Sequence, residues 1–267
     1  MSMIPTALTI AGSDSGGGAG LQADLKAFEA NGVFGMSVVT AVTAQNTRAV
    51  TAVHEIPPDV VVAQIDAVAS DLPVGAVKTG MLATAPLIDA VADGIARHGL
   101  GPVVVDPVMV TTAGDPLLAP DAVGAVRQRM LPLADLVTPN AHEAARLAGG
   151  EVRTLGDARR AARAILALGP GAVLVKGGHL DGEADAVDLL LAPDGETLFR
   201  EERIDTPNTH GTGCTYASAI AAHLARGAGL VEAVGLARTY LQGAIRHGLA
   251  IGGGHGPTGH FWEFRAP

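Results

Sequence analysis

Leu8-Thr9-Ile10-Ala11 opens into Gly12-Ser13-Asp14-Ser15-Gly16-Gly17-Gly18, and a segment of helical period, 20–30, follows at once. An apolar run of strand length, a glycine turn and then a helix make the beginning of a βα unit. The pattern recurs. Ala76-Val77 leads into Lys78-Thr79-Gly80, Val103-Val104-Val105 into Asp106-Pro107, Leu136-Val137 into Thr138-Pro139-Asn140, and Val173-Leu174-Val175 into Lys176-Gly177-Gly178. Strands with no polar alternation suit a parallel sheet covered by helices on both faces. In such open α/β sheets the ligand crevice lies beyond the carboxyl ends of the strands. Lys78, Asp106, Asn140 and Lys176, distant in sequence, are therefore candidates for one shared site.

Helical periodicity predicts helices over 20–30, 58–70, 85–97, 120–129, 141–147, 155–168, 213–225 and 230–248. Segments 186–191 and 197–203, joined through Pro193-Asp194-Gly195, read as a β-hairpin, and 37–44 as a further strand closed by Gln45. No repeat, linker or shift of composition divides the chain, so 1–267 is expected to form a single domain.

The chain is 48% hydrophobic and 17% charged, which excludes a disordered or low-complexity protein. Its net charge of −9, with no basic stripe, argues against a nucleic-acid partner, whose affinity depends on neutralised phosphates. Membrane insertion is not expected, because no apolar stretch of about 18 residues runs without a charge or a Gly/Pro interruption. A single cysteine and an N-terminus without a signal-like apolar run make a cytoplasmic protein the expectation.

Several motif fragments fail on their context. Asp14-Ser15-Gly16-Gly17 imitates a serine-protease segment but sits between a first strand and a helix. His142-Glu143-Ala144-Ala145 begins a zinc-protease helix, yet Arg146 stands where the second imidazole is required. The glycine run 16–20 does not fit a dinucleotide fingerprint, and no Gly-Lys-Ser/Thr completes a P-loop.

Thr209-His210-Gly211-Thr212-Gly213-Cys214-Thr215 stands before a helix of small residues. Gly211 and Gly213 let successive amides converge at the positive end of the helix dipole, an anion cradle suited to a transferring phosphoryl group. Cys214 lies at the helix start, where a thiol pKa is expected to fall and a thiolate to serve as base or nucleophile; a small buried packing residue is the alternative. Asn140 and Glu143 are three residues apart and can serve as a reciprocal cap, a functional pair, or both. Asp106 is a candidate metal ligand or a solvated strand end. Lys176 can meet phosphates or be a loop lysine, and Gln45 can read the edge of a heterocycle or satisfy its own loop.

Taken in order, the segments 11–26, 43–47, 78–82, 106–109, 138–143, 176–179, 211–215 and 254–257 resemble those of the hydroxymethylpyrimidine/phosphomethylpyrimidine kinases of the ribokinase-like superfamily. The resemblance covers nearly the whole chain. It implies an αβα sandwich around a mainly parallel sheet, a homodimer, and Mg²⁺-ATP-dependent phosphorylation of 4-amino-5-hydroxymethyl-2-methylpyrimidine and then of its monophosphate, for thiamine biosynthesis. It places Gly12, Gln45, Met81, Val108 and Cys214 around the pyrimidine. Asp106 and Glu143 would organise Mg²⁺, and Lys176, Asn140 and Thr212 the nucleotide. Gly211, Thr212, Gly213 and the Cys214 amide would form the anion hole, with the Cys214 thiolate as base. Two positions depart from the family's pattern: Arg238 replaces a lysine and Gly259 an asparagine. Arg238 therefore stays outside the expected catalytic set, because its forked head differs from an ammonium in reach. A pyridoxal kinase of the same fold, and a non-catalytic nucleotide or vitamin sensor, are the alternatives.

Overall fold

The computed structural model describes residues 4–110, 117–119, 121–178 and 180–264. Its strands are β1 (Thr6–Asp14), β2 (Phe34–Gln45), β3 (Val50–Glu55), β4 (Val77–Thr79), β5 (Val103–Val105), β6 (Leu136–Val137), β7 (Val173–Val175), β8 (Ala186–Ala192) and β9 (Gly195–Glu201). They form a nine-stranded sheet in the order β3-β2-β1-β4-β5-β6-β7-β8-β9. Strands β2, β1, β4, β5, β6 and β7 run parallel across the middle, while β3, β8 and β9 continue the edges in antiparallel pairs.

Alternate residues of one strand enter two different cores, which explains why the strand sequences are apolar throughout. Leu8, Ile10, Val103, Val105, Val137, Val173 and Val175 pack on one face. There they meet helices α2 (Pro58–Ala69), α3 (Ala85–His98), α4 (Ala122–Ala125), α5 (Ala141–Ala148) and α6 (Leu155–Leu166). Ala7, Val104, Leu136 and Leu174 point to the other face, against α1 (Gly20–Ala30), α7 (Thr212–Ala225) and α8 (Leu230–Arg246). The result is the αβα sandwich with a mainly parallel sheet that the sequence led us to expect.

The helix expected over 120–129 is shorter and less regular. Ala122–Ala125 is α-helical, Val126–Met130 widens into a π turn, and Leu131–Leu133 closes in a 3₁₀ turn; position 120 lies outside the described residues. The hairpin is present with its second strand shifted, since β9 begins at Gly195, whose φ of 150° lets the chain turn inside Pro193-Asp194-Gly195. Strand β3 was not anticipated. Five of its six residues are exposed, so it carries no burial pattern to read; only pairing with β2 makes it a strand.

The chain moves from β1 to β2 on one side and later returns to place β4 on the other. The crevice at that switch of direction is where a doubly wound sheet binds its ligands. Gly12, near the carboxyl end of β1, and Gly80, directly after β4, both line it.

Candidate active site

One cavity of about 860 Å³ spans the carboxyl ends of the strands. On the β1–β2 side it is lined by Gly12, Gln45, Met81 and Val108, and across the middle by Asp106, Asn140, Glu143 and Lys176. Gly211, Thr212, Gly213 and Cys214, at the start of α7, form another part of its wall. The structure thus brings together every residue that the sequence singled out for substrate, nucleotide, metal or catalysis.

The geometry at Asp106 settles two open readings. Its Oδ1 accepts hydrogen bonds from Lys176 Nζ at 2.8 Å and Thr138 Oγ1 at 3.0 Å. Lys176 is therefore no free loop lysine and Asp106 no solvated strand end; the carboxylate is 2% exposed. Burial opposes ionisation of Asp106, but the ammoniums of Lys176 and Lys78 hold its carboxyl below the usual range. Burial likewise opposes the charge on Lys176, and Asp106 and Glu143 more than restore it. Gly213 is small for a reason visible here, since a Cβ would stand 3.3 Å from Lys176 Nζ. The ammonium can lie directly against the start of α7.

Asn140 and Glu143 form the reciprocal cap of α5. Asn140 Oδ1 accepts from the Glu143 amide at 2.9 Å, and Glu143 Oε2 accepts from the Asn140 amide at 2.8 Å. Both also face the cavity, so capping and site geometry coincide. Glu143 is 4% exposed, and burial pushes its carboxyl up to about 7.

Gly211 opens α7 with φ 81°, in the left-handed region, and a Cβ there would overlap the Gly18 carbonyl oxygen. Only glycine allows this turn to press against the loop after β1. Cys214, half-buried behind it, corrects the sequence expectation. Burial pushes its thiol up to about 11, and the carboxylates of Asp24 and Asp106 add to the rise while Lys78 opposes it. The thiol is raised and not lowered, because dehydration and buried negative charge outweigh the Lys78 ammonium and the Gly20 backbone hydrogen bond.

Other charged groups near the site gave weaker sequence signals. Lys78 is fully buried, with Nζ 2.8 Å from Asp24 Oδ1, and Ser218 and Thr9 also donate to that carboxylate. Asp14 meets His210 across 2.8 Å, a pairing of residues 196 positions apart that no local pattern could reveal. Arg238 is 6% exposed, 3.3 Å from Asp188 and 6.0 Å from the centroid of the Tyr216 ring, so its charge is turned to protein partners at the edge of the cavity. Gly259 passes so close to helix α8 that a Cβ would overlap the His247 carbonyl oxygen, which accounts for glycine where the family resemblance implied asparagine. Position 179, part of the segment that carried the resemblance, lies outside the described residues.

Among the described residues no cluster of three or more His, Cys, Asp or Glu could hold a metal, and no helix is long and apolar enough to cross a membrane. The chain is 55% identical over 264 residues to the hydroxymethylpyrimidine/phosphomethylpyrimidine kinase of Rhizobium meliloti, covering 97% of this chain and 98% of that protein. The solved phosphomethylpyrimidine kinase of Clostridium difficile superposes with a TM-score of 0.81 at 44% identity, over 91% of this chain and all of that one. An ADP complex of Bacillus subtilis pyridoxal kinase superposes with a TM-score of 0.90 at 40% identity, over 97% and 98% of the two chains. The match to the phosphomethylpyrimidine kinase model runs from residue 14 to 259, through the loop after β1, the Asp106–Lys176 pair and the glycine turn before Cys214, and by that match the chain belongs to the phosphomethylpyrimidine kinase family.

Proposed function

We propose that this chain transfers the γ-phosphoryl group of ATP to the hydroxymethyl oxygen of 4-amino-5-hydroxymethyl-2-methylpyrimidine, and then phosphorylates the monophosphate, for thiamine biosynthesis. The observation that carries this reading is the meeting of Gln45, the Asp106–Lys176 pair and the glycine cradle before Cys214 in one cavity. Residues 1–267 would act as one kinase domain, since a continuous sheet runs from Thr6 to Glu201 and helices from Gly20 to Arg246 cover it. The cytoplasm and a homodimer are the setting we assign from the family resemblance.

Mg²⁺ fits the donor set. Asp106 and Glu143 are hard oxygen donors, and burial together with the Asp106 carboxylate disfavours the charge on Glu143, a penalty that a cation would offset. Two carboxylates suit an ion that keeps waters and shares phosphate oxygens. When bound, it would neutralise phosphate charge.

The protein's own groups supply the rest. Gln45 offers a donor and an acceptor to the aminopyrimidine edge, while Met81 and Val108 wall the ring. Gly12 keeps this space open, because a Cβ there would stand 3.1 Å from Met81 Sδ. Lys176, with Asn140 and Thr212, would hold the nucleotide phosphates. The amides of residues 211–214 would receive the charge that spreads over the equatorial oxygens during in-line transfer, and Cys214 Sγ the hydroxyl proton. Positioning and charge neutralisation account for most of the acceleration in such transfers.

ADP release measured with hydroxymethylpyrimidine, its monophosphate and pyridoxal tests the reading. The first two are expected to turn over with higher kcat/KM than pyridoxal. The reverse order would favour the pyridoxal reading. No release with any ring would leave the sensor.

Gln45→Leu should raise KM for the pyrimidine, since leaving a buried polar edge unpaired costs about 1–3 kcal/mol. An unchanged KM would remove Gln45 from the ring site. Glu143→Gln separates cap from metal. The folded-state value near 7 lies above the ordinary 4.5, so ionised Glu143 costs stability as pH rises from about 4.5 through about 7. Glutamine keeps an acceptor for the Asn140 amide and removes that cost. Thermal stability at pH 8 should hold or rise, while the Mg²⁺ concentration for half-maximal rate increases about 10–100-fold. A lowered Tm with normal Mg²⁺ dependence would assign Glu143 to the cap alone.

A further inference from the structure

The end of β1 and the loop before α7 meet at a buried carboxylate–imidazole contact that the proposed chemistry does not itself use. Asp14 is 3% exposed. Its Oδ1 accepts from the Gly16 amide at 2.8 Å, and its Oδ2 from the amides of Ala19 at 2.8 Å and Gly18 at 3.1 Å and from His210 Nε2 at 2.8 Å. One carboxylate thus gathers three amides of the first loop and the imidazole of the second. Burial opposes its ionisation, but the hydrogen bonds from His210, Ala19 and Gly16 hold the carboxyl below its usual range.

Each end of this arrangement continues to a group that would touch a substrate. Ser15, next to Asp14, exchanges hydrogen bonds with the Gln45 backbone: the Gln45 amide donates to Ser15 Oγ at 2.8 Å, and Ser15 Oγ donates to the Gln45 carbonyl at 2.9 Å. His210 directly precedes Gly211, and its own amide donates to the Gly256 carbonyl at 3.0 Å. The ring-reading residue and the phosphoryl cradle are therefore joined by a short path through Asp14 and His210. The packing leaves no slack, since a Cβ on Gly18 would overlap the His210 ring.

We propose that Asp14 and His210 form a clasp of positioning residues that holds the Gln45 side of the cavity and the 211–214 cradle in one register, so that hydroxyl and phosphoryl group meet in line. This rests on the kinase reading above. Misplacing reacting groups by about 1 Å can cost about 10²-fold in rate.

The test compares His210→Leu, which fills the space without a donor, with His210→Gln, whose amide can still donate to Asp14. Hydrogen exchange of peptides covering 12–22 and 205–216 is followed alongside steady-state kinetics. In the leucine variant both peptides should exchange at least about tenfold faster, and kcat should fall about 10–100-fold with the KM for ATP within about twofold. The glutamine variant should retain at least about a third of wild-type kcat and near-normal exchange. Asp14→Asn, which keeps the side-chain shape, should loosen both peptides as the leucine variant does and serves if that variant does not fold. Loosening of one peptide alone, equal losses in the leucine and glutamine variants, or a lowered Tm with unchanged kcat would overturn the clasp. Wild-type protein that releases no ADP with the pyrimidine would instead refute the functional reading, and the exchange data would still judge the clasp.

Discussion

Cys214→Ala is expected to lower kcat by about 10²–10⁴, the usual worth of a positioned proton acceptor, with nucleotide affinity nearly unchanged. Alanine keeps the backbone amide of the cradle and a small apolar side chain, so the proton acceptor is the main thing lost. The environment of the thiol adds a sharper expectation. Burial and the carboxylates of Asp24 and Asp106 push it up to about 11, so at neutral pH the thiol is largely protonated. With a thiolate base, wild-type kcat should climb about tenfold per pH unit from pH 7 to 10. The alanine variant should be slow and flat over that range. Cys214→Asp should recover part of the rate at pH 7, because a carboxylate accepts a proton at far lower pH. Full activity in Cys214→Ala, with the wild-type pH profile, would show that transfer rests on the cradle and Lys176 and that Cys214 only packs.

Lys78→Met should destabilise the fold by about 3–5 kcal/mol, the cost of leaving one member of a buried ion pair unpaired. Both side chains of the Lys78–Asp24 pair are fully buried. Asp24 would retain only the hydroxyls of Thr9 at 2.6 Å and Ser218 at 2.7 Å. These contacts join β1, β4, α1 and α7 beneath the cavity. Urea unfolding at pH 7 measures the loss, and replacing Asp24 by leucine in the same chain should recover much of it. The pair also sets an alkaline limit. Burial disfavours the Lys78 charge, but Asp24 holds the ammonium above its ordinary range. That stabilisation is complete below the unfolded value, about 10.4, and fades as pH rises further. Wild-type stability should therefore fall above about pH 10.4 more steeply than that of Lys78→Met. Equal stability of the two proteins at pH 7 would mean that the buried pair adds nothing net to the fold.

Much of this molecule is written in local patterns. Val103-Val104-Val105 is apolar at every position because both faces of β5 are covered, and the polar or glycine residues that follow such runs mark the site end of the sheet. Asn140 and Glu143, three residues apart, announce the cap of α5, and Gly211 announces the tight turn that opens α7. Periodicity and short-range hydrogen bonding depend on neighbours in the chain, so the chain order displays them. Strand β3 was missed because an exposed edge has no burial period, and its identity comes from pairing with β2.

What folding alone settled is mostly electrostatic. A helix start argues for a lowered thiol at Cys214, yet the packed carboxylates and lost water raise it, and neither is visible in the seven residues around it. Asp14 reaches His210 across 196 positions, Lys176 reaches Asp106 across 70, and Arg238 turns to Asp188 and Tyr216. The carboxyls of Asp14 and Asp106 and the ammonium of Lys176 are held in their charged forms by partners brought from distant parts of the chain. Coulomb energies and desolvation follow distance in space, and the chain acquires those distances only when the sheet closes the two loops over one cavity.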